Sequence, residues 1–422
     1  MRFLILSVVA LCCVFGGRPL SAGDAAAESG STIDLSEWKI VWEDDFDYPD
    51  AQLDEKWVSQ NGPNGHILSS RWRENAVVED GILHLVNRKE NRGGQEWTSG
   101  NIWTKEKFKY GYFECRYRYA EASGTNNSFW LMTLWDQPDP EEGKRFEIDI
   151  NEGHYPNEVN TNIHNWTDIT TLPNGKQTHP SDSKSFTYGT QAGYSLPLEI
   201  AVTTRKLRLT FDSLKSHHIH EFRVYGENDR TFPDAMSDSA DQDLPGLVNH
   251  ARDAKVKITS TGDHSENNPT ANLVDGKIGS SWINQAGEGE KTLTFEWPED
   301  ITIGCIQFVN GWKYKGTWVG MLPNYRIEYH DGNGWNEVSS LDVSEVANFG
   351  KNYHVFGLEW DEEKIVFYKD GKEIRREKNE FAYSEAPIWL SLAIIKWDGP
   401  VTEAIDGTSM KVDWVRYYQR KE

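Results

Sequence analysis

The chain has 422 residues, with 44 Lys and Arg against 66 Asp and Glu and a formal net charge of −22. That balance repels phosphate backbones and anionic membrane surfaces, so nucleic acid is excluded as an expected partner. Aromatic residues make up 12% of the chain, including 18 Trp, which suits a surface that stacks on the apolar faces of sugars, and the length calls for about two compact units.

At the start, Met1 and Arg2 precede a mostly apolar run over residues 3–15, followed by small residues at Ser21, Ala22 and positions 25–27. This is a secretory pattern, and residues 1–27 are expected to act as a signal peptide that sends the protein to the periplasm or out of the cell. The run is short for a bilayer span and no other stretch approaches that length, so no membrane insertion is expected. Cys12 is preceded by the bulky Leu11, which argues against lipid attachment. Beyond this segment only Cys115 and Cys305 remain, far apart and without zinc-type spacing; a disulfide between them is not the default.

Helical periodicity is nearly absent along the rest of the chain. Alternating runs at 111–119, 207–211, 325–329 and 365–368, separated by Gly, Asn and Asp turns, predict an all-β protein of sandwich type. The segment Glu147-Ile148-Asp149-Ile150-Asn151-Glu152 stands out among them. On a strand Glu147 and Asp149 share one face, while Phe146, Ile148 and Ile150 fill the core on the other. Strict alternation then sends Glu152 into the core, where an unpaired carboxylate is costly. A β-bulge between Asp149 and Glu152 restores it to the acidic face, with Gly153 easing the exit from the bulge. Two carboxyls about 5 Å apart suit a retaining glycosidase, one attacking the anomeric carbon and one protonating the leaving oxygen. A middle acid tunes the attacking group.

This motif resembles the bulge-type ExDxxE motif of glycoside hydrolase family 16. Flanking segments are similar as well: Val41-Trp42-Glu43-Asp44-Asp45-Phe46 and Leu53-Asp54-Glu55-Lys56-Trp57 near the start, then Tyr353-His354-Val355-Phe356-Gly357-Leu358-Glu359-Trp360 and Val412-Asp413-Trp414-Val415-Arg416 near the end. The resemblance implies a concanavalin-like jelly-roll sandwich that hydrolyses polysaccharide internally. It implies Glu147 as nucleophile, Asp149 as its assistant and Glu152 as general acid/base. By position, Trp130 is implied as a sugar-stacking residue and His164 as a neighbour of the sugar or of Asp149. His154, Trp103, Trp135 and Trp397 are further candidates for contacting substrate.

The material between the two matching parts has a resemblance of its own. Asn267-Asn268-Pro269-Thr270-Ala271-Asn272-Leu273-Val274-Asp275-Gly276 and Ser281-Trp282 resemble the start of a discoidin domain (factor 5/8 type C, close to carbohydrate-binding module family 32). Residues 325–329 with Gly334-Trp335 resemble its middle. Its closing strands match 205–211 and 218–226, which come first, so the order implies a circularly permuted, discoidin-like sandwich set into the hydrolase. Residues 234–246 then serve as the linker between the old ends. The alternative is two truncated copies. The expected partition is 1–27 signal, 35–180 first hydrolase part, 181–345 insert and 346–420 second hydrolase part. Asp275 and Glu221 match positions that hold calcium in some discoidin-like modules, and Trp312, Tyr314 and Trp318 are candidates for sugar contact on the insert.

Together these features predict a monomeric, exported, retaining endo-β-glycan hydrolase that needs no cofactor for catalysis and has at most a structural calcium. Its expected partner is a polysaccharide: a β-1,3- or mixed-linkage glucan, or a red-algal galactan such as agar, porphyran or carrageenan. A polysaccharide-binding lectin without turnover is the alternative.

Overall fold

The structure, a computed structural model, describes residues 31–134, 138–226, 232 and 243–421. The signal segment 1–27, Trp135 and most of the 234–246 stretch lie outside the described residues.

Two sheets form the first unit. One orders its strands as Lys372–Lys378, Lys364–Lys369, His354–Trp360, Gly111–Arg118, Ser409–Arg420, Ile82–Val86 and Ala76–Glu79, with Trp38–Asp44 also paired to Ser409–Arg420. The other runs Ser181–Thr187, Glu158–Asn165, Phe146–His154, Thr125–Met132, Ile388–Ile394, Asn101–Thr104 and Trp57–Ser59. Strands from both ends of the chain alternate within each sheet, which is a jelly-roll sandwich. Period-two patterning builds its core: Phe113, Cys115 and Tyr117 face inward from the first sheet, and Phe129, Leu131, Ile148, Leu390 and Leu392 from the second. Each such side chain contributes roughly 1.5–3 kcal/mol on burial. The intervening residues of the second sheet, among them Asn126, Ser128, Trp130, Asn162 and Ser391, lie on its outer face.

The second unit is one sheet folded over on itself. Gly193–Asp212 and Glu290–Asn310 pair along almost their whole length, with register breaks between Pro197 and Val202 and between Thr204 and Lys206. A straight strand of that length would reach roughly 65 Å, and the breaks bend the ladder instead. His218–Tyr225 pairs with the far part of Glu290–Asn310, while Lys257–Ser260 pairs with its near part. Asn324–His330 adds to Gly193–Asp212 and carries Trp335–Asp342 at the edge. Rings from the two halves meet across the fold: Phe222 with Phe295 at 4.8 Å between centroids and Tyr194 with Tyr325 at 5.3 Å. Segments from before and after the 234–246 stretch therefore share one sheet and one core.

Two boundaries move relative to the sequence reading. Ser181–Thr187 pairs residue for residue with Glu158–Asn165, and Phe186 and Tyr188 sit in the first core, so the sandwich continues past residue 180. On the return, Val343, Ala347 and Phe349 already belong to that core. A strand whose apolar residues are few, as in Ser181-Asp182-Ser183-Lys184-Ser185-Phe186-Thr187, reads as linker until its pairing partner is known. Leu341 packs against both cores and joins the units. Cys115 and Cys305 are both buried and free, one in each unit. Among the described residues no helix is long and apolar enough to cross a membrane.

Candidate active site

Phe146–His154 is the strand on which the site is built. Asp149 stands opposite Trp130 on one neighbour and Asn162 on the other, yet Asn151 stands opposite Phe129 and Glu152 opposite Asn160, so one extra residue sits between Asp149 and Glu152. This is the bulge that alternation demanded. Ile150 and Asn151 are consecutive and both fully buried. Asn151 reaches across the sandwich and donates to the hydroxyls of Tyr117 (2.5 Å) and Tyr119 (2.9 Å). With two inward residues in a row, Glu152 returns to the face that carries Glu147 and Asp149. Gly153 is required for a different reason than the sequence suggested. Its backbone is not left-handed, but a Cβ there would lie 2.2 Å from the Tyr119 ring.

The three acids are held almost entirely by neutral donors. Trp166 Nε1 donates to Glu147 at 2.8 Å. The single amide nitrogen of Asn162 donates to Asp149 at 3.0 Å and to Glu152 at 2.7 Å, and Asn126 donates to the other Glu152 oxygen. His164 Nε2 lies 3.4 Å from Asp149, while its Nδ1 is 2.9 Å from His179 Nε2. Burial, then the neighbouring Asp149 charge, pushes the Glu147 carboxyl well above its ordinary range. Burial, then Glu152, does the same to Asp149. Oxygens of Glu147 and Asp149 and a ring nitrogen of His164 lie within 4.8 Å of one another, so the acids share protons as a unit rather than titrating alone.

Next to the acids runs an aromatic row. Asp149, Trp130, Trp389 and Trp103 are opposite one another on four successive strands. Trp389 stacks on Trp130 at 4.7 Å and on Trp103 at 4.5 Å, with interplanar angles of 28° and 29°. Trp389 is thus sandwiched between Trp130, on the acid side, and Trp103, at the far end. On the opposite flank His164, Trp166 and His179 form a second ring cluster beside Glu147.

The other sequence-selected residues are placed as follows. Trp130 and His164 join the acids directly; Trp103 does so through Trp389. His154, at the end of the catalytic strand, is turned to Asp398 (3.4 Å) and Glu158 (3.6 Å). Trp397 precedes Asp398 and is half exposed, its ring 5.6 Å from His66. Trp135 lies outside the described residues. Asn126, Asn162, Trp166, His179 and Trp389 were not singled out from sequence; the alternation of Asn162 with His164 and of Trp389 with Ser391 was the available signal.

At the two positions matched to calcium the carboxylates are partnered within the protein. Glu221 accepts from Arg252 Nη2 at 2.7 Å and from the Gly276 amide at 3.2 Å, while Asp275 accepts from the Lys277 amide and the Ser280 hydroxyl. The positive charge beside Glu221 is the Arg252 guanidinium.

A model of the family described as Glycosyl hydrolases family 16 matches residues 65–191 and 325–416, just over half of the chain. The chain belongs to glycosyl hydrolase family 16. The unmatched gap falls on the second unit, although the second matched part opens on strands that pair within that unit's sheet; hydrogen bonding, rather than the alignment, decides where those strands belong. Relatives of this family 16 hydrolase include a β-glucanase of Rhodothermus marinus, 35% identical over 141 residues, covering 30% of this chain and 48% of that protein. A β-glucanase of Brevibacillus brevis is 33% identical over 105 residues (24% of this chain, 39% of that protein). The endo-1,3-1,4-β-glycanase ExoK of Rhizobium meliloti is 30% identical over 109 residues (25% and 39%). The matched part of the chain spans less than half the length of each of these relatives.

Proposed function

We propose that this family 16 protein is a retaining endo-β-glucan hydrolase acting on β-1,3- or mixed-linkage glucan. The observation that carries this reading is the bulge, which puts Glu147, Asp149 and Glu152 on one face with neutral donors around them; the names of the matched relatives favour glucan over galactan. In the first step Glu147 attacks the anomeric carbon as Glu152 gives its proton to the departing glycosidic oxygen. In the second, Glu152 takes a proton from water, the resulting hydroxide oxygen bonds to the anomeric carbon, and the Glu147 ester breaks. Asp149, beside Glu147, shares a proton with it and tunes the attacking group. Trp130 offers a ring face to the sugar ring next to the scissile bond.

The second unit is proposed as a permuted discoidin-like module that adds polysaccharide contact through the Trp312–Tyr314 and Thr317–Val319 hairpin, where Tyr314 is exposed. An extracellular polymer as substrate agrees with export directed by residues 1–27. The test is a panel of laminarin, mixed-linkage glucan, agar, porphyran and carrageenan with product sizing. The reading expects oligosaccharides from the glucans. Galactan products alone would replace the substrate class, and retardation on all polymers without reducing ends would leave a lectin.

A further inference from the structure

The two units meet where the catalytic strand ends. The loop between Gly193–Asp212 and His218–Tyr225 of the insert sends Lys215 into the first unit, where its side chain is largely buried. Lys215 Nζ forms an ion pair with Asp398, lies 3.8 Å from Glu158 and donates to the Tyr155 carbonyl at 3.5 Å. Asp398 is buried, and its second carboxylate oxygen accepts from the Gly124 amide at 3.1 Å. Gly124 leads directly into the strand whose Asn126 donates to Glu152. On the other side Asp398 and Glu158 face His154, two residues beyond Glu152. Asn160, beside His154, donates to the Glu152 carbonyl at 2.9 Å. One cation from the insert is therefore the centre of a cluster that braces Glu152 from two directions.

We propose that Lys215 is a positioning residue for Glu152, so that the insert is part of the catalytic apparatus rather than only a tethered module. Without Lys215, His154 is the remaining partner that Asp398 and Glu158 share among the described residues. Two carboxylates sharing a buried site repel each other, the Asp398 bond to Gly124 loosens, and Asn126 and the end of the catalytic strand lose their fixed places. A misplaced general acid costs rate in proportion to how badly the leaving group needs a proton. This inference rests on Glu152 being the general acid/base.

The experiment compares full-length wild type, Lys215→Met, Lys215→Arg and Glu152→Gln on two substrates. One is a β-glucan, whose sugar leaving group needs protonation; the other is a dinitrophenyl β-glycoside of a glucan disaccharide, whose leaving group does not. Rates are expressed per folded protein, with the thermal melt recorded for each variant. Lys215→Met is expected to lose about 10-fold or more in kcat/KM on glucan, while staying within about twofold on the aryl glycoside, and Lys215→Arg is expected to recover most of the glucan rate. Equal losses on both substrates, or no loss on either, overturn the proposal. Glu152→Gln is the control: if it shows no dependence on leaving group, the acid/base assignment itself has failed, and the Lys215 result is not the cause. Should Lys215→Met not fold, Lys215→Gln and Asp398→Asn are measured on the same two substrates: a loss confined to glucan supports the proposal, and equal losses or none overturn it.

Discussion

Two groups of acids, one in each unit, are handled in opposite ways. In the insert Glu221 and the half-buried Asp243 share Arg252 at 2.7 and 2.9 Å, and Glu328 pairs with Arg208 at 2.7 Å. The Glu328 carboxyl is held below its ordinary range, Arg208 and Arg326 outweighing the effect of burial, whereas burial still leaves Glu221 somewhat raised in spite of Arg252. On the catalytic strand Glu147, Asp149 and Glu152 receive bonds from Asn and Trp and stand beside one another, and burial with mutual repulsion raises Glu147 and Asp149 far above that range. A carboxylate paired with a cation is electrostatically satisfied and holds structure. A carboxylate given only neutral donors and an acidic neighbour keeps its proton affinity available for chemistry.

The contrast is disturbed most severely by removing Glu147, the proposed attacking group. Glu147→Gln is expected to lower kcat on glucan by about 10,000-fold or more, with the circular dichroism spectrum unchanged. The same change should stabilise the fold at neutral pH. Because the folded-state affinity of Glu147 for its proton is raised, its contribution to stability is fully present below the ordinary carboxylate range and is lost as pH rises through the raised value. The variant's melting temperature should therefore exceed wild type at pH 8 and converge with it near pH 4, each 1 kcal/mol being worth roughly 2–4 °C.

In the insert the loss of a partner works the other way. Arg252→Met leaves Glu221 and Asp243 with Arg223 alone, at 3.9 and 3.7 Å, and should cost about 3 kcal/mol of stability in a denaturant titration. Replacing Glu221 by Leu in the same chain should return part of it.

A smaller effect isolates the role of the middle acid. Glu147 must be ionised to attack, so the acid limb of kcat/KM is expected above the ordinary carboxylate value. Asp149→Asn removes the second contributor to that elevation but not burial, the first. The limb should move to lower pH without reaching the ordinary value; an unmoved limb in a pH-rate profile contradicts the coupling.

Much of this was legible in residue order. Phe146, Ile148 and Ile150 fix one face, and the need to keep Glu152 out of the core forces the bulge before any coordinates are known. The strand runs at 111–119, 325–329 and 365–368 fall in strands of the described sheets. What sequence did not reveal depends on register between distant segments. Asn162 bridges two acids only because Glu158–Asn165 pairs with the catalytic strand, and Trp389 completes the aromatic row from more than two hundred residues away. Lys215 lies in another unit altogether. Gly153 was noticed, but its cause was steric, set by Tyr119 on the facing sheet. The Arg252 guanidinium beside Glu221 likewise comes from register and not from residue order.

Everything proposed for the site depends on Glu147 and Glu152, brought to one face by the bulge, carrying out a double displacement. Proton NMR of the anomeric region during the first minutes of glucan hydrolysis tests it most directly. The double displacement predicts that the β-anomer accumulates first and the α-anomer appears only by mutarotation. Early appearance of the α-anomer would contradict it.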